Sequence, residues 1–470
     1  LGAFYNSDAV FGDDDAALVV SEPLSRHGAI KYGCGSPAHP ITARNTSRRI
    51  ERERRAMMKS HGSTISVNGR IYMAPERPTV VICLDGSEPG YIEKAIEAGM
   101  APTFARFMKD GTHVHANCVI PSFTNPNNLS IITGRPPAVH GIAGNYFYDT
   151  ARDAEVMMND PRFLRAPTIL AAVHNAGYKV VTITAKDKLR ALLSDGLDYS
   201  TGRAIAFSSE KADQASIKEN GIGQVLEFVG QALPEVYSAD LSRFAFAAGV
   251  KLLEVHRPDL MYLSTTDYIQ HKVPPGAEIA NRFYGMIDGY LAWLDALGCN
   301  IVATADHGMN DKHLANGAPD VIYLQDLMDE WIGKGKARVI LPITDPYVAH
   351  HGSLGSFATV YIGEWPAEEL LQRLRLVHGV DLALMREEAC AQFELPPDRI
   401  GDIVVLSSKH KVLGSSRGRH DLSSLHEPLR SHGGLTEQRV PLISNRKIAL
   451  PPDYPLRNFD AFDVALNRIQ

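Results

Sequence analysis

The chain has no CxxC pair and only five cysteines, Cys34, Cys83, Cys118, Cys299 and Cys390, dispersed among 470 residues. That excludes a disulfide scaffold and a cysteine-built zinc knuckle, and it points to thiols in a reducing compartment. No apolar run reaches the roughly 20 residues of a membrane helix, and the first residues lack the basic-then-apolar order of a secretory signal. A cytoplasmic protein with no membrane partner is expected. Positive charge is not in excess: the net charge is −6, so no footprint for nucleic acid exists. Internal repeats and long low-complexity tracts are missing as well.

What is present is an ordinary globular composition, 44% hydrophobic, long enough for one large core and a subsidiary domain. Eighteen histidines exceed what packing requires and point to metal. Residues 1–56 stand apart, with an acidic run at Asp13-Asp14-Asp15 and arginine-dense sequence from Arg48 to Arg55. They show no sustained period and are expected to be a disordered or non-native extension, with a natural start near Met57; a basic arm for a partner is the second reading.

From Thr79 the pattern is regular. Apolar runs at Thr79–Leu84, Lys179–Thr184, Asp259–Ser264 and Asn300–Ala305 predict buried strands, and helical stripes such as Ile279–Leu294 fall between them. This alternation predicts an α/β fold with a largely parallel central sheet and helices on both faces. Between 310 and 430 the rhythm loosens into an expected inserted α+β cap, which leaves 57–309 and 431–470 as the catalytic core.

One stretch, Pro121-Ser122-Phe123-Thr124-Asn125-Pro126-Asn127-Asn128-Leu129, lies between a strand pattern at His113–Ile120 and the run Ser130-Ile131-Ile132-Thr133-Gly134. Pro126 near a first helical position and Asn125 as a cap predict a helix starting here. Thr124 then reads in two ways. It is an N-cap, or it is a hydroxyl at a helix N-terminus, where unpaired N–H groups and partial positive charge suit a phosphoryl group.

Three acids follow apolar strands: Asp85 after the first, Asp267 shortly after Leu263, and Asp306 after Ala305. Singly, each is an ordinary turn or cap residue. In open α/β sheets, however, ligands bind beyond the carboxyl ends of strands, so the three can converge. Two carry histidine: His271 lies at i+4 from Asp267, sharing a helical face, and His307 adjoins Asp306. His432, in Ser431-His432-Gly433-Gly434, is a further candidate, in competition with His350, His351, His410, His420 and His426.

Oxygen and nitrogen donors without cysteine suit zinc ahead of iron or manganese. Two Zn2+ ions can be assembled, one on Asp267, His271 and His432, the other on Asp85, Asp306, His307 and the Thr124 hydroxyl. Such a pair, about 3.5–4 Å apart, clamps the oxygens of a phosphoryl transfer. Coordination would also make the threonine hydroxyl a competent nucleophile.

Taken together, these residues resemble the alkaline phosphatase superfamily. Leu84-Asp85-Gly86, the Thr124 stretch, Thr133-Gly134-Arg135-Pro136-Pro137, Asp267 with His271, and Thr304-Ala305-Asp306-His307-Gly308-Met309 look like its metal and nucleophile motifs in order. The nearest branch is the nucleotide pyrophosphatase/phosphodiesterase group. Within it, Gly144-Asn145-Tyr146-Phe147-Tyr148-Asp149 and Thr184-Ala185-Lys186-Asp187-Lys188-Leu189-Arg190 resemble members that split a carbon–phosphorus bond.

The resemblance implies a small-molecule phosphonate substrate, phosphonoacetate, hydrolysed to acetate and phosphate through a phosphothreonine on Thr124 at a di-zinc site. It implies that Asn145 holds a phosphonyl oxygen and that Lys186 and Lys188 bind the substrate carboxylate. Read alone, those lysines are a solvated turn. A phosphodiesterase with the same metals, but an apolar or aromatic slot for its leaving group, is the alternative. A homodimer is left open.

Overall fold

Every position of Thr79-Val80-Val81-Ile82-Cys83 is buried, which suits a strand covered on both faces, and it forms β1 at the centre of the main sheet. The structure is a computed structural model that describes residues 63–345, 352–420, 422, 425 and 427–470. The extension expected over 1–56 lies outside the described residues, as do His350, His351 and His426.

Five more strands of the main sheet are β2 (Thr112–Asn117), β3 (Val180–Thr184), β4 (Ala204–Ser208), β5 (Leu260–Ser264) and β6 (Asn300–Thr304). The seventh is Arg439–Ser444, inserted between β2 and β6, and the remaining order is β6-β1-β5-β3-β4. Arg439–Ser444 pairs antiparallel with both neighbours, and the other pairings are parallel, so six of the seven strands share one direction. The predicted α/β class with a largely parallel sheet is the observed one.

The register matters more than the order. Cys83 pairs with both Thr304 and Ser264, and Ser264 pairs with Thr184, so the carboxyl ends of β6, β1, β5 and β3 are level. Whatever follows these four residues in sequence emerges at one edge of the sheet. Val81 and Cys83, which share a face by the two-residue period, pack into a cluster with Leu129, Ile132, Leu170 and Leu192. Among the described residues, no helix is long and apolar enough to cross a membrane.

Helix α1 (Thr124–Thr133) is buried at all ten positions. It differs from expectation at its start: Phe123 occupies the N-cap with an extended backbone and no side-chain cap hydrogen bond. Asn125 does not cap, because its Nδ2 donates to Met158 O at 3.1 Å. Asn127 stitches the approach to the helix instead. Its Oδ1 accepts from Val119 N at 2.7 Å and from Asn458 Nδ2 at 3.0 Å, and its Nδ2 donates to Phe123 O at 3.1 Å.

Between residues 310 and 431 the chain leaves the main sheet and returns, and Asn310–Asp311 pairs antiparallel with Arg430–Ser431 at the crossing point. The excursion carries an antiparallel sheet of β7 (Ala337–Ile340), β8 (Phe357–Ile362), β9 (Val380–Met385) and β10 (Ile403–Ser407), in the order β7-β8-β10-β9. Its apolar core also takes in Ile120 and Phe123, and Arg399 Nη1 reaches Phe163 O at 2.7 Å and Gly141 O. From Ile65 to Gln470 the chain is consequently one compact unit.

Asn127→Leu preserves volume but leaves the buried Val119 N–H unpaired and strips a hydrogen bond from Val119 O and from Asn458 Nδ2. It is expected to destabilise the fold by about 3 kcal/mol, at roughly 1 kcal/mol or more per unsatisfied group. The checking measurement is the midpoint of chemical denaturation, followed by circular dichroism.

Candidate active site

The level strand ends place the acids. Asp85 lies two residues beyond Cys83, Asp306 two beyond Thr304, and Asp267 three beyond Ser264, so the carboxylates enter one crevice at the carboxyl edge of the sheet. The turn after β1 requires glycine. Gly86 has φ +70, and a Cβ there would lie 2.8 Å from Asp267 Cβ. Backbone and side-chain bonds then fix each acid: Asp85 N donates to Thr265 Oγ1 at 2.8 Å, and Asn128 Nδ2 donates to Asp306 Oδ2 at 3.1 Å. Asn128 is itself held, its Oδ1 accepting from Tyr262 OH at 2.7 Å.

The structure brings all seven expected ligand residues together. His271, on the short helix Tyr268–Lys272, places Nε2 2.9 Å from Asp267 Oδ2. His307 Nε2 lies 3.3 Å from Asp85 Oδ1 and 3.5 Å from Thr124 Oγ1. His432 Nε2 is 3.8 Å from Asp267 Oδ2, and its ring stacks on His307 at 3.6 Å between centroids. The rivals His410 and His420 contact Asp311 O and Gly352 O elsewhere in the insertion.

Each of the three imidazoles is oriented by a carbonyl at Nδ1: Arg430 O for His271 (2.8 Å), Gly308 O for His307 (2.9 Å) and Ser122 O for His432 (2.7 Å). In the neutral form, Nδ1 therefore carries the proton and Nε2 keeps its lone pair toward the cluster.

The ligand atoms of Asp85, Asp306 and His307 lie within 4.8 Å of one another, and so do those of Asp267, His307 and His432. The expected partition placed His307 with one ion alone. The structure sets it between the two groups, while His271 joins through Asp267.

Negative charge dominates the crevice. Burial, reinforced by Asp267 and Asp306, pushes the Asp85 carboxyl well above the usual carboxylate range. Burial opposes the charged imidazolium of His307, yet Asp306 and Asp85 lift it to about 10. Burial, then the neighbouring His307 and His271, press His432 far below the ordinary histidine value. Asp85 Oδ1 is buried without a hydrogen bond. A divalent cation answers all of these features.

Thr124 is the first residue of α1, only 7% exposed, and lines a pocket with Asp85, Asp267, His271 and His432. Asn145 lines the same pocket, and its Oδ1 accepts from Asn125 N at 3.1 Å.

Lys186 and Lys188 face this pocket too, at the start of the helix Asp187–Leu193 that follows β3. They are not the solvated pair that a turn would give. Lys186 Nζ donates to Val236 O at 2.7 Å and sits over the Tyr237 ring, and Lys188 Nζ donates to Asp345 Oδ2 at 2.6 Å. The reading of the sequence passed over Asn128, Thr265 and Asp345. Only Asn128, a polar residue inside a wholly buried helix, left a signal there.

A sequence profile of the type I phosphodiesterase / nucleotide pyrophosphatase family matches residues 79–435. Crystal structures of phosphonoacetate hydrolase from Sinorhizobium meliloti 1021, in complex with phosphonoformate and with phosphonoacetate, are each 60% identical, with a TM-score of 0.84 over 86% of this chain and 99% of that one. Murine ectonucleotide pyrophosphatase / phosphodiesterase 5 shares the fold at 17% identity, with a TM-score of 0.55 over 82% of this chain and 93% of that one. Venom phosphodiesterase of Macrovipera lebetinus is 25% identical over 253 residues, 50% of this chain but only 26% of that protein. The human family member 1 is 36% identical over 78 residues, 16% of this chain and 8% of that protein. With that profile spanning most of its length, the chain belongs to the type I phosphodiesterase / nucleotide pyrophosphatase family of the alkaline phosphatase superfamily.

Proposed function

We propose that this enzyme hydrolyses the carbon–phosphorus bond of phosphonoacetate, releasing acetate and phosphate, with Thr124 as its nucleophile. The observation that carries this reading is a single pocket lined by Thr124 and by Asp85, Asp267, His271 and His432 of the acid–imidazole cluster as well as by Lys186 and Lys188. Phosphoryl chemistry and carboxylate recognition thus share one cavity. Likeness to a phosphonoacetate hydrolase at 60% identity supports the same reading.

The donor set fits two divalent cations, zinc first, with iron or manganese as substitutes. Asp267, His271 and His432 would hold one, and Asp85, Asp306, His307 and Thr124 the other, with His307 near both. When bound, the ions supply positive charge that favours the ionised threonine hydroxyl and offsets charge on the phosphonyl oxygens.

Thr124 Oγ1 attacks phosphorus, the P–C bond breaks, and its electron pair passes to carbon. The adjacent carboxylate delocalises that pair as an enolate-like anion, and Lys186 and Lys188 stabilise the developing charge. Carbon then takes a proton from water and leaves as acetate. Water attacks the phosphothreonine, the bond from phosphorus to Oγ1 breaks, and phosphate is released with the hydroxyl restored. Asn145 holds a phosphonyl oxygen through Nδ2, because its Oδ1 is committed to Asn125 N.

The phosphodiesterase alternative needs an apolar or aromatic slot for a base or alcohol. Among the described residues, the pocket lining contains no Phe, Tyr or Trp, and its apolar side chains are Leu189 and Ile343 beside the two lysines. The free thiols of Cys83, Cys118, Cys299 and Cys390 support a reducing, cytoplasmic setting.

Purified protein is expected to release phosphate from phosphonoacetate in preference to cleaving bis(4-nitrophenyl) phosphate. A clear preference for the diester would overturn the substrate assignment. Thr124→Ala is expected to lose at least about a thousandfold in kcat with native circular dichroism, and Lys186→Ala to raise KM on phosphonoacetate. Exhaustive chelation should remove two metal equivalents per chain by mass spectrometry. It should also lower the thermal midpoint, with zinc restoring both stability and turnover.

A further inference from the structure

One short segment of the insertion touches both halves of the proposed substrate site. Leu341-Pro342-Ile343-Thr344-Asp345 follows β7. Pro342 O accepts from Asn145 N at 2.8 Å and from Tyr146 N at 3.2 Å. The approach is close enough to need glycine at 144, where a Cβ would lie 2.5 Å from Pro342 Cβ. Three residues later, Asp345 Oδ2 accepts from Lys188 Nζ at 2.6 Å. The Asp345 side chain is fully buried and that of Lys188 is 18% exposed. Ile343, between the two anchors, lines the pocket.

The geometry points to Asp345 as a specificity-determining positioning residue. By fixing Lys188 from the same segment that fixes Asn145, it sets the gap between the carboxylate and phosphonyl subsites, and so selects phosphonates whose carboxylate is one methylene from phosphorus. This inference rests on the reading of Lys188 and Asn145 as substrate-binding residues.

Three peptide units span at most about 10 Å, so the two anchors cannot drift apart without breaking a bond at one of them. Charge works in the same direction. Burial opposes the Lys188 ammonium, but Asp345 first, with Asp267 and Asp85 behind it, holds the group above the ordinary lysine range. Burial pulls Lys186, held by a carbonyl and a ring, below that range. Asp345 therefore helps keep the Lys188 cation both charged and stationary, which a long, flexible lysine does not achieve alone.

The test compares Asp345→Asn and Asp345→Ala with the unaltered chain. Phosphonoacetate is the substrate, 3-phosphonopropionate the ligand longer by one methylene, and inorganic phosphate the inhibitor that lacks a carboxylate. KM for phosphonoacetate is expected to rise about ten- to a hundredfold, and its advantage over 3-phosphonopropionate to shrink at least tenfold. The Ki of phosphate and the metal content should stay within about twofold.

In a Lys188→Met background, adding Asp345→Leu should change KM by less than about twofold, since Asp345 acts through Lys188. This double variant removes both charges of the pair and decides the matter if the single variants do not fold. An unchanged KM, equal weakening of phosphate and phosphonoacetate, or a large further loss in the Lys188→Met background would overturn the assignment. No phosphate release from phosphonoacetate by the unaltered chain would instead overturn the substrate reading beneath it.

Discussion

Like charges held close together at the carboxyl edge of the sheet govern this molecule. Two ionised carboxylates whose oxygens lie within 4.8 Å, as those of Asp85 and Asp306 do, would repel by about 3 kcal/mol even at an effective dielectric of ~20. The same crowding, on top of burial, pushes the Asp85 carboxyl up and, against burial, lifts His307 beside it. A typical hydrogen bond returns only about 1 kcal/mol, so no single partner among Asn128, Thr265 and Gly86 offsets the repulsion. What holds the acids is the sheet: four parallel strands end level, and moving one acid away means shifting a fully buried strand against its neighbours. The stored repulsion is released by positive charge, which the proposed reading supplies as cations. The carbonyls behind the three histidines serve the same end, since they leave every Nε2 available to such a charge.

The acids were legible in the sequence because a fully buried parallel strand is written as an unbroken apolar run, and the first acid after it marks the carboxyl edge. Thr79–Cys83 with Asp85, and Asn300–Thr304 with Asp306, announce themselves in this way. His271 was legible from its spacing to Asp267, since one helical turn returns a side chain to the same face. The α1 boundary was misread at Asn125. A helix buried on every side has no polar face to set its phase, and the amide an N-cap side chain would take at Asn125 is already held by Asn145 Oδ1, a partner 20 residues away.

The partners of the lysines could not be read from the chain at all. Asp345 lies 157 residues from Lys188 and follows an ordinary turn-like Ile343-Thr344, so only the fold makes it a neighbour. Arg439–Ser444 was missed for a related reason. As the one strand running against the rest, it falls outside the strand–helix alternation that revealed β1, β3, β5 and β6, and Ala204–Ser208 was passed over too. Local pattern encodes what a residue is next to along the chain, and pairings made by the return of an insertion leave no such trace.

This division bears on how the enzyme would choose its reaction. The acids and imidazoles come from strand ends and from the point where the insertion rejoins the core, and they present a centre suited to any phosphorus group. Breaking a bond from phosphorus to oxygen leaves a stable anion, whereas breaking one to carbon does not unless a neighbouring carboxylate accepts the charge. Recognising that carboxylate is therefore part of the chemistry as well as of selection, and it has to come from outside the acid–imidazole cluster. In this fold the insertion reaches that position: Phe123, the residue before Thr124, packs into the core of the insertion, and Pro342 and Asp345 brace Asn145 and Lys188, which line the pocket. A change confined to those few insertion residues could redirect the leaving group while every ligand at the sheet edge stayed where it is.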